Sequence, residues 1–220
     1  MYIVSGYIKK KGVRIMNAQI SISVLSGVLP LVGMVIYVYK THHRVVNPNT
    51  TTWALWSLIN FVILISYNSA SSGDSMWSAL VGFIEPFAIT VLLITRQGTV
   101  WQRLSHTEVV CVCFAIFALY LWWLLKESKP LAQYALYLSI LADAIAAIPT
   151  IIGVYRKPES DRPVSWALFA AGYGISLCAI TEHTFANYAL PVYMVLVASS
   201  IAALCARHRL KTRAPLMEWV

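Results

Sequence analysis

Glu85 and Asp143 are the two acidic residues that stand well inside long apolar runs of this 220-residue chain. On membrane-insertion scales a central Asp costs about 2.5–3.5 kcal/mol, so such a group is kept only beside a partner or a water-filled cavity. A carboxyl in that setting can hold a proton on one side of a membrane and release it on the other. Glu85 and Asp143 are therefore the first candidates for solute binding and for proton coupling. The plainer use is a structural hydrogen bond between helices, with Asn60 or Tyr173 as partner. Asn60, Asn68 and Tyr173 carry donors and acceptors suited to hydroxyls or amides. Asn60 and Tyr173 each lie seven residues after a tryptophan, Trp53 and Trp166, and so occupy equivalent places. Both join the candidate solute-binding set, and helix glue is an equally good use of them.

Pro30, Pro48, Pro149 and Pro163 form a second class of candidates. An interior proline removes an i to i−4 hydrogen bond and costs about 3 kcal/mol in water. Prolines at matched places in paired helices suit hinges that rock about a central site. Pro86 and Pro191 lie inside two further apolar runs. Trp53 and Trp166 could stack on a ring-shaped solute, but their places near helix starts make interface anchoring the expected role. Trp77, Trp101, Trp122 and Trp123 stand near the ends of runs and belong to the same belts. His42, His43 and His183 lack a third ligand at helical spacing, so no metal site is expected. Cys111, Cys113, Cys178 and Cys205 all lie in apolar runs and form neither a disulfide framework nor a CxxC pair. Gly172-Tyr-Gly174 and Ala142-x-x-x-Ala146 read as small-residue contacts that let helix backbones approach.

The elements that must position these residues follow from composition. The chain is 59% hydrophobic and 12% charged, against about 45–50% and about 25% in soluble domains. It is a membrane protein with no room for a separate catalytic or nucleic-acid-binding domain. A hydrocarbon core about 30 Å thick takes about 20 helical residues per crossing. Apolar runs bounded by charge, Gly, Pro and Asn predict seven helices at 19–39, 51–68, 76–95, 108–125, 132–155, 164–181 and 186–206. Residues 1–18 form a leader with Lys9, Lys10, Lys11 and Arg14, which resembles the basic start of a signal peptide but is followed by no small-residue cleavage site. It is expected to stay attached, and a start at Met16 is left open.

Seven crossings put the termini on opposite sides. The loops after helices 1, 3 and 5, with the tail 207–220, hold eleven Lys and Arg: Lys40, Arg44, Arg96, Arg103, Arg156, Lys157, Arg162, Arg207, Arg209, Lys211 and Arg213. The opposite side holds six, namely Lys126, Lys129 and the four of the leader. The excess places the C-terminus in the cytoplasm and the N-terminus outside. The formal net charge of +8 thus reads as a topology signal, and no nucleic-acid partner is expected.

The chain also repeats itself. Pro30-Leu-Val-Gly-Met-Val-Ile-Tyr37 in helix 1 matches Pro149-Thr-Ile-Ile-Gly-Val-Tyr155 in helix 5, and each is followed by a basic loop containing a proline. Helix 2 then opens with Trp53-Ala54-Leu55 and helix 6 with Trp166-Ala167-Leu168. Two three-helix units, 19–95 and 132–206, joined by a linker helix at 108–125, are the expected plan. A single linker crossing makes them parallel repeats about an axis along the membrane normal. In this the sequence resembles the SWEET and PQ-loop transporter superfamily, whose members have a 3+1+3 plan with the N-terminus outside. Pro30, Pro48, Pro149 and Pro163 resemble its proline tetrad. Leu31 and Thr150 stand where a PQ-loop has Gln. The stretch Trp53-Ala-Leu-Trp56-Ser-Leu-Ile-Asn60 resembles a W-x-x-W-x-x-x-N segment of PnuC vitamin transporters; Phe169 and Tyr173 take the corresponding places in the second copy.

The resemblance implies an all-α carrier in the plasma or inner membrane, moving a small sugar, amino acid or vitamin-like solute by alternating access. The partners expected are that solute and the lipid bilayer, with a homo-oligomer left open. No cofactor and no enzymatic activity are expected. A seven-helix receptor and an intramembrane lipid-modifying enzyme are the alternatives. A retinal-binding receptor would need a lysine deep in helix 7, and there is none between Glu182 and Arg207. An enzyme would have Glu85, Asp143 and His183 to work with, and these show no nucleophile-base spacing.

Overall fold

A computed structural model of the chain describes residues 2–46, 48–71, 76–97 and 104–219, with side chains from Ile20 onward except at 96 and 97. Trp101, Arg103, residues 72–75 and the side chains of Lys9, Lys10, Lys11, Arg14 and Arg96 lie outside the described residues. Among the described residues the chain is all-helical. Its seven helices are α1 (Tyr2–His42), α2 (Thr50–Ala70), α3 (Met76–Gln97), α4 (His106–Leu125), α5 (Lys129–Arg156), α6 (Pro163–Ala179) and α7 (Phe185–Thr212). Six are long and apolar enough to cross a membrane, while α6 is a shorter apolar helix. At 17 residues it sits at the low end of the range of about 17–25 that can span. Two boundaries differ from expectation. The first helix starts at Tyr2, ahead of the expected 19, and α7 runs through Thr212, past the expected 206.

Local chemistry sets the ends. Asn49 caps α2 by accepting from the N–H groups of Thr51 and Thr52. Ser105 and Glu108 form a reciprocal capping box at the start of α4, which satisfies two orphan donors at once. Glu108 also accepts from the Thr52 hydroxyl at 3.1 Å, tying the starts of α2 and α4 together. Arg44 and Arg213 adopt left-handed backbone (φ 59° and 50°) and end α1 and α7, as αL residues commonly do at helix C-termini.

Pro30 and Pro149 lie inside α1 and α5. Pro48 and Pro163, expected as hinges, correct that reading. Pro48 precedes the Asn49 cap and Pro163 is the first residue of α6, where no helical hydrogen bond is lost, so neither interrupts a helix. Pro30 packs onto α6 at Gly172: a Cβ there would collide with the proline ring and stand 2.7 Å from the Ser26 carbonyl. That carbonyl is the one Pro30 cannot donate to.

The helices neighbour one another in the order α1, α3, α2, α5, α7, α6 and back to α1, with α4 outside against α5 and α2. In each group of three the last helix therefore lies between the first two. The ends of α1 and α5, the starts of α2 and α6, and the 158–161 turn meet around one cavity, so α1 and α5 run parallel. The C-terminal segment joins them there, with the Val164 N–H donating to the Trp219 carbonyl at 3.2 Å. The described basic residues after α1, α5 and α7 thus collect at one end of the bundle. Arg209 is more than a topology charge, because it is 2% exposed and donates to the carbonyls of Pro158, Cys205, Asp161 and Glu218.

Candidate functional site

Asn60 on α2, Gly82, Glu85 and Pro86 on α3, Asp143 on α5, Phe169 on α6 and Met194 on α7 converge on a central cavity of about 50 Å³, room for a few waters. Asp143 is 7% exposed. Its Oδ2 accepts from the Tyr193 hydroxyl of α7 at 2.6 Å and its Oδ1 from Asn60 Nδ2 at 3.2 Å. Asn60 Nδ2 also donates to the Trp56 carbonyl at 3.0 Å. Glu85, 9% exposed, faces the same cavity and makes no hydrogen bond among the described residues. One turn of α3 supplies both this carboxylate and Pro86, which leaves the Gly82 carbonyl without its helical donor. The cavity thus offers one satisfied carboxylate and one open carboxylate.

Glu85, Asp143 and Asn60 are brought together as a site requires. Tyr173 is not among the cavity residues, because it turns to α3, donates to the Ser78 carbonyl at 3.0 Å and rests over Gly82, where a Cβ would strike its hydroxyl. It acts as glue between helices. Asn68 is exposed on the outside of α2. His42 and His43 lie together at the end of α1, far along the chain from His183, which bonds the Tyr188 hydroxyl at 2.7 Å.

The tryptophans correct a further expectation. Trp53 is 5% exposed and belongs to a closed set of ring contacts rather than to an interface belt. Tyr37 meets Trp53 at 5.2 Å, Trp53 meets Trp56 at 5.2 Å, Trp56 meets Trp166 at 6.3 Å, and Trp166 returns to Tyr37 at 6.5 Å. Trp77 and Trp123, by contrast, are exposed on the outside of the bundle. Trp53, Trp56 and Trp166 line both the central cavity and a second one of about 210 Å³ at the basic end, which they separate. Trp56 Nε1 has no hydrogen-bond partner among the described residues.

The second cavity carries a residue that sequence reading passed over. Asp161, in the segment between α5 and α6, is 6% exposed and accepts from the Arg162 N–H at 2.7 Å. Burial pushes its carboxyl up from 3.8 to about 6, against the pull of that N–H, of a hydrogen bond from the Trp166 indole and of the Arg162 and Arg209 charges. In the sequence it stands in a basic segment with Arg156, Lys157 and Arg162, and nothing there marks it as buried. Tyr193, equally unmarked, is one of several tyrosines on apolar helices. Comparisons of the chain with protein-family models, characterised proteins and solved structures give no match.

Proposed function

We propose that this chain is a membrane carrier that moves a small polar solute by alternating access, with Glu85 and Asp143 as its solute-binding or proton-coupling groups. The observation that carries the reading is the convergence of these two carboxylates, from different helices, on one cavity between the helices. A structural hydrogen bond accounts for Asp143, which has two partners. It does not account for Glu85, which has none among the described residues and is costly to bury without a function. The aromatic set beneath the cavity is a closed gate toward the basic end.

Two parallel three-helix copies are part of this proposal. The matched neighbour order within α1–α3 and α5–α7 and the common direction of α1 and α5 support it, as does the resemblance to the SWEET and PQ-loop plan. Rocking of one copy against the other about Pro30 and Pro149 would open the site to each side in turn. The basic end is assigned to the cytoplasm.

The test is solute flux into proteoliposomes across a panel of sugars, amino acids and vitamin nucleosides, with and without a pH gradient. Asp143→Asn or Glu85→Gln should abolish the pH dependence of net uptake while exchange or binding survives. Wild-type rate and pH profile in both variants would make the carboxylates structural and the carrier a uniporter. Absence of flux for every solute would overturn the reading.

A further inference from the structure

Three buried carboxylates line the two cavities, Glu85 and Asp143 the central one and Asp161 the one at the basic end, and among the described residues no Lys, Arg or His lines either. We infer that the second cavity is a binding site for a small organic cation, an alkylammonium group held against the Tyr37, Trp53, Trp56 and Trp166 wall with Asp161 as its counter-ion.

The charge argument comes first. A carboxylate taken out of water needs compensation, and Asp161 has no ion pair among the described residues. The Arg162 and Arg209 charges act on Asp161, yet neither side chain lines the cavity or pairs with the carboxylate. Arg162 Nη1 donates to the Glu159 carbonyl at 3.2 Å, and Arg209 spends its guanidinium on main-chain carbonyls. A cation in the cavity supplies a directly paired partner, whereas an anion there would face the Asp161 carboxylate.

The walls then favour an ammonium over a polyol. Aromatic rings attract a desolvated cation through their quadrupole, which is the basis of aromatic cages for quaternary ammonium groups. Three of the polar side chains that a sugar would use are already engaged: Asn49 caps α2, Thr52 donates to Glu108 and Ser160 donates to the Lys157 carbonyl. Space agrees, since about 210 Å³ admits a small head group where the central cavity, about 50 Å³, does not. The site stands whether or not the chain transports; in a carrier it would be the solute's station at the basic end.

The full-length protein in nanodiscs should be titrated with choline, and separately with its uncharged isostere 3,3-dimethylbutan-1-ol, following tryptophan fluorescence and binding heat. Choline should bind saturably and the isostere at least tenfold more weakly. Asp161→Asn should weaken choline at least tenfold and leave the isostere unchanged, while Asp161→Glu retains most of the affinity. If Asp161→Asn does not fold, the comparison of choline with its isostere on the native chain decides alone. Equal affinity for the two probes, no saturable choline binding, or an unchanged Asp161→Asn variant would each overturn the assignment. A negative flux panel leaves this result standing, so the two readings fail separately.

Discussion

The Tyr193 hydroxyl on α7 donates to Asp143 on α5 at 2.6 Å, and this bond joins the two helices at the wall of the central cavity. A hydrogen bond to an ionised group contributes about 1.5–3 kcal/mol. Tyr193→Phe keeps the ring and removes the donor, so thermal unfolding in detergent should show a loss of that size. A variant as stable as the native chain would mean that Asp143 is neutral or solvated there.

Gly172 is the only residue type that lets α6 approach Pro30, because any Cβ meets the proline ring. Gly172→Ala should cost about 1–3 kcal/mol by overpacking. In a Pro30→Ala background the same change should cost less, with a coupling of at least about 0.5 kcal/mol in a double-mutant cycle. Additive costs would show that the two sites relax independently. Pro30→Ala and Pro149→Ala should also slow flux while leaving binding detectable, and unchanged flux would reduce them to packing residues.

Asp161 makes stability depend on pH in an unusual direction. Its folded-state carboxyl lies at about 6, above the ordinary 3.8, because burial disfavours the charge. The contribution is therefore complete below pH 3.8 and is lost as pH rises through about 6. At pH 7.5 the buried charge costs on the order of 3 kcal/mol. Asp161→Asn should unfold at higher temperature than the native chain at pH 7.5, and the two should converge at about pH 4. Parallel curves for both proteins would contradict this.

Orientation is open to labelling. Glu127, between α4 and α5, and Lys211, near the end of α7, are exposed at opposite ends of the bundle. In a cysteine-free background, Glu127→Cys should react with an impermeant maleimide in intact cells and Lys211→Cys should not. The reverse pattern would place the basic end outside.

The positions of the seven helices were legible in the sequence because length and apolarity alone decide what crosses a bilayer, and caps such as Asn49 and Ser105 are local chemistry. The same cost argument singled out Glu85 and Asp143 with no knowledge of any contact. What only the tertiary structure decided is how each helix is rotated about its axis. That rotation turns Tyr173 away to Ser78 over Gly82 and brings Tyr193, which no sequence signal marked, to Asp143. It turns Trp53 and Trp166 from the expected belts into a shared wall between two cavities. It converts Arg209 from a counted loop charge into a buried clamp beneath Asp161. A helix that is apolar all round carries no periodic signal of which face turns inward. The facing residues are set by close packing between helices, at places such as Pro30 against Gly172, and that information lies in pairs of residues more than a hundred positions apart.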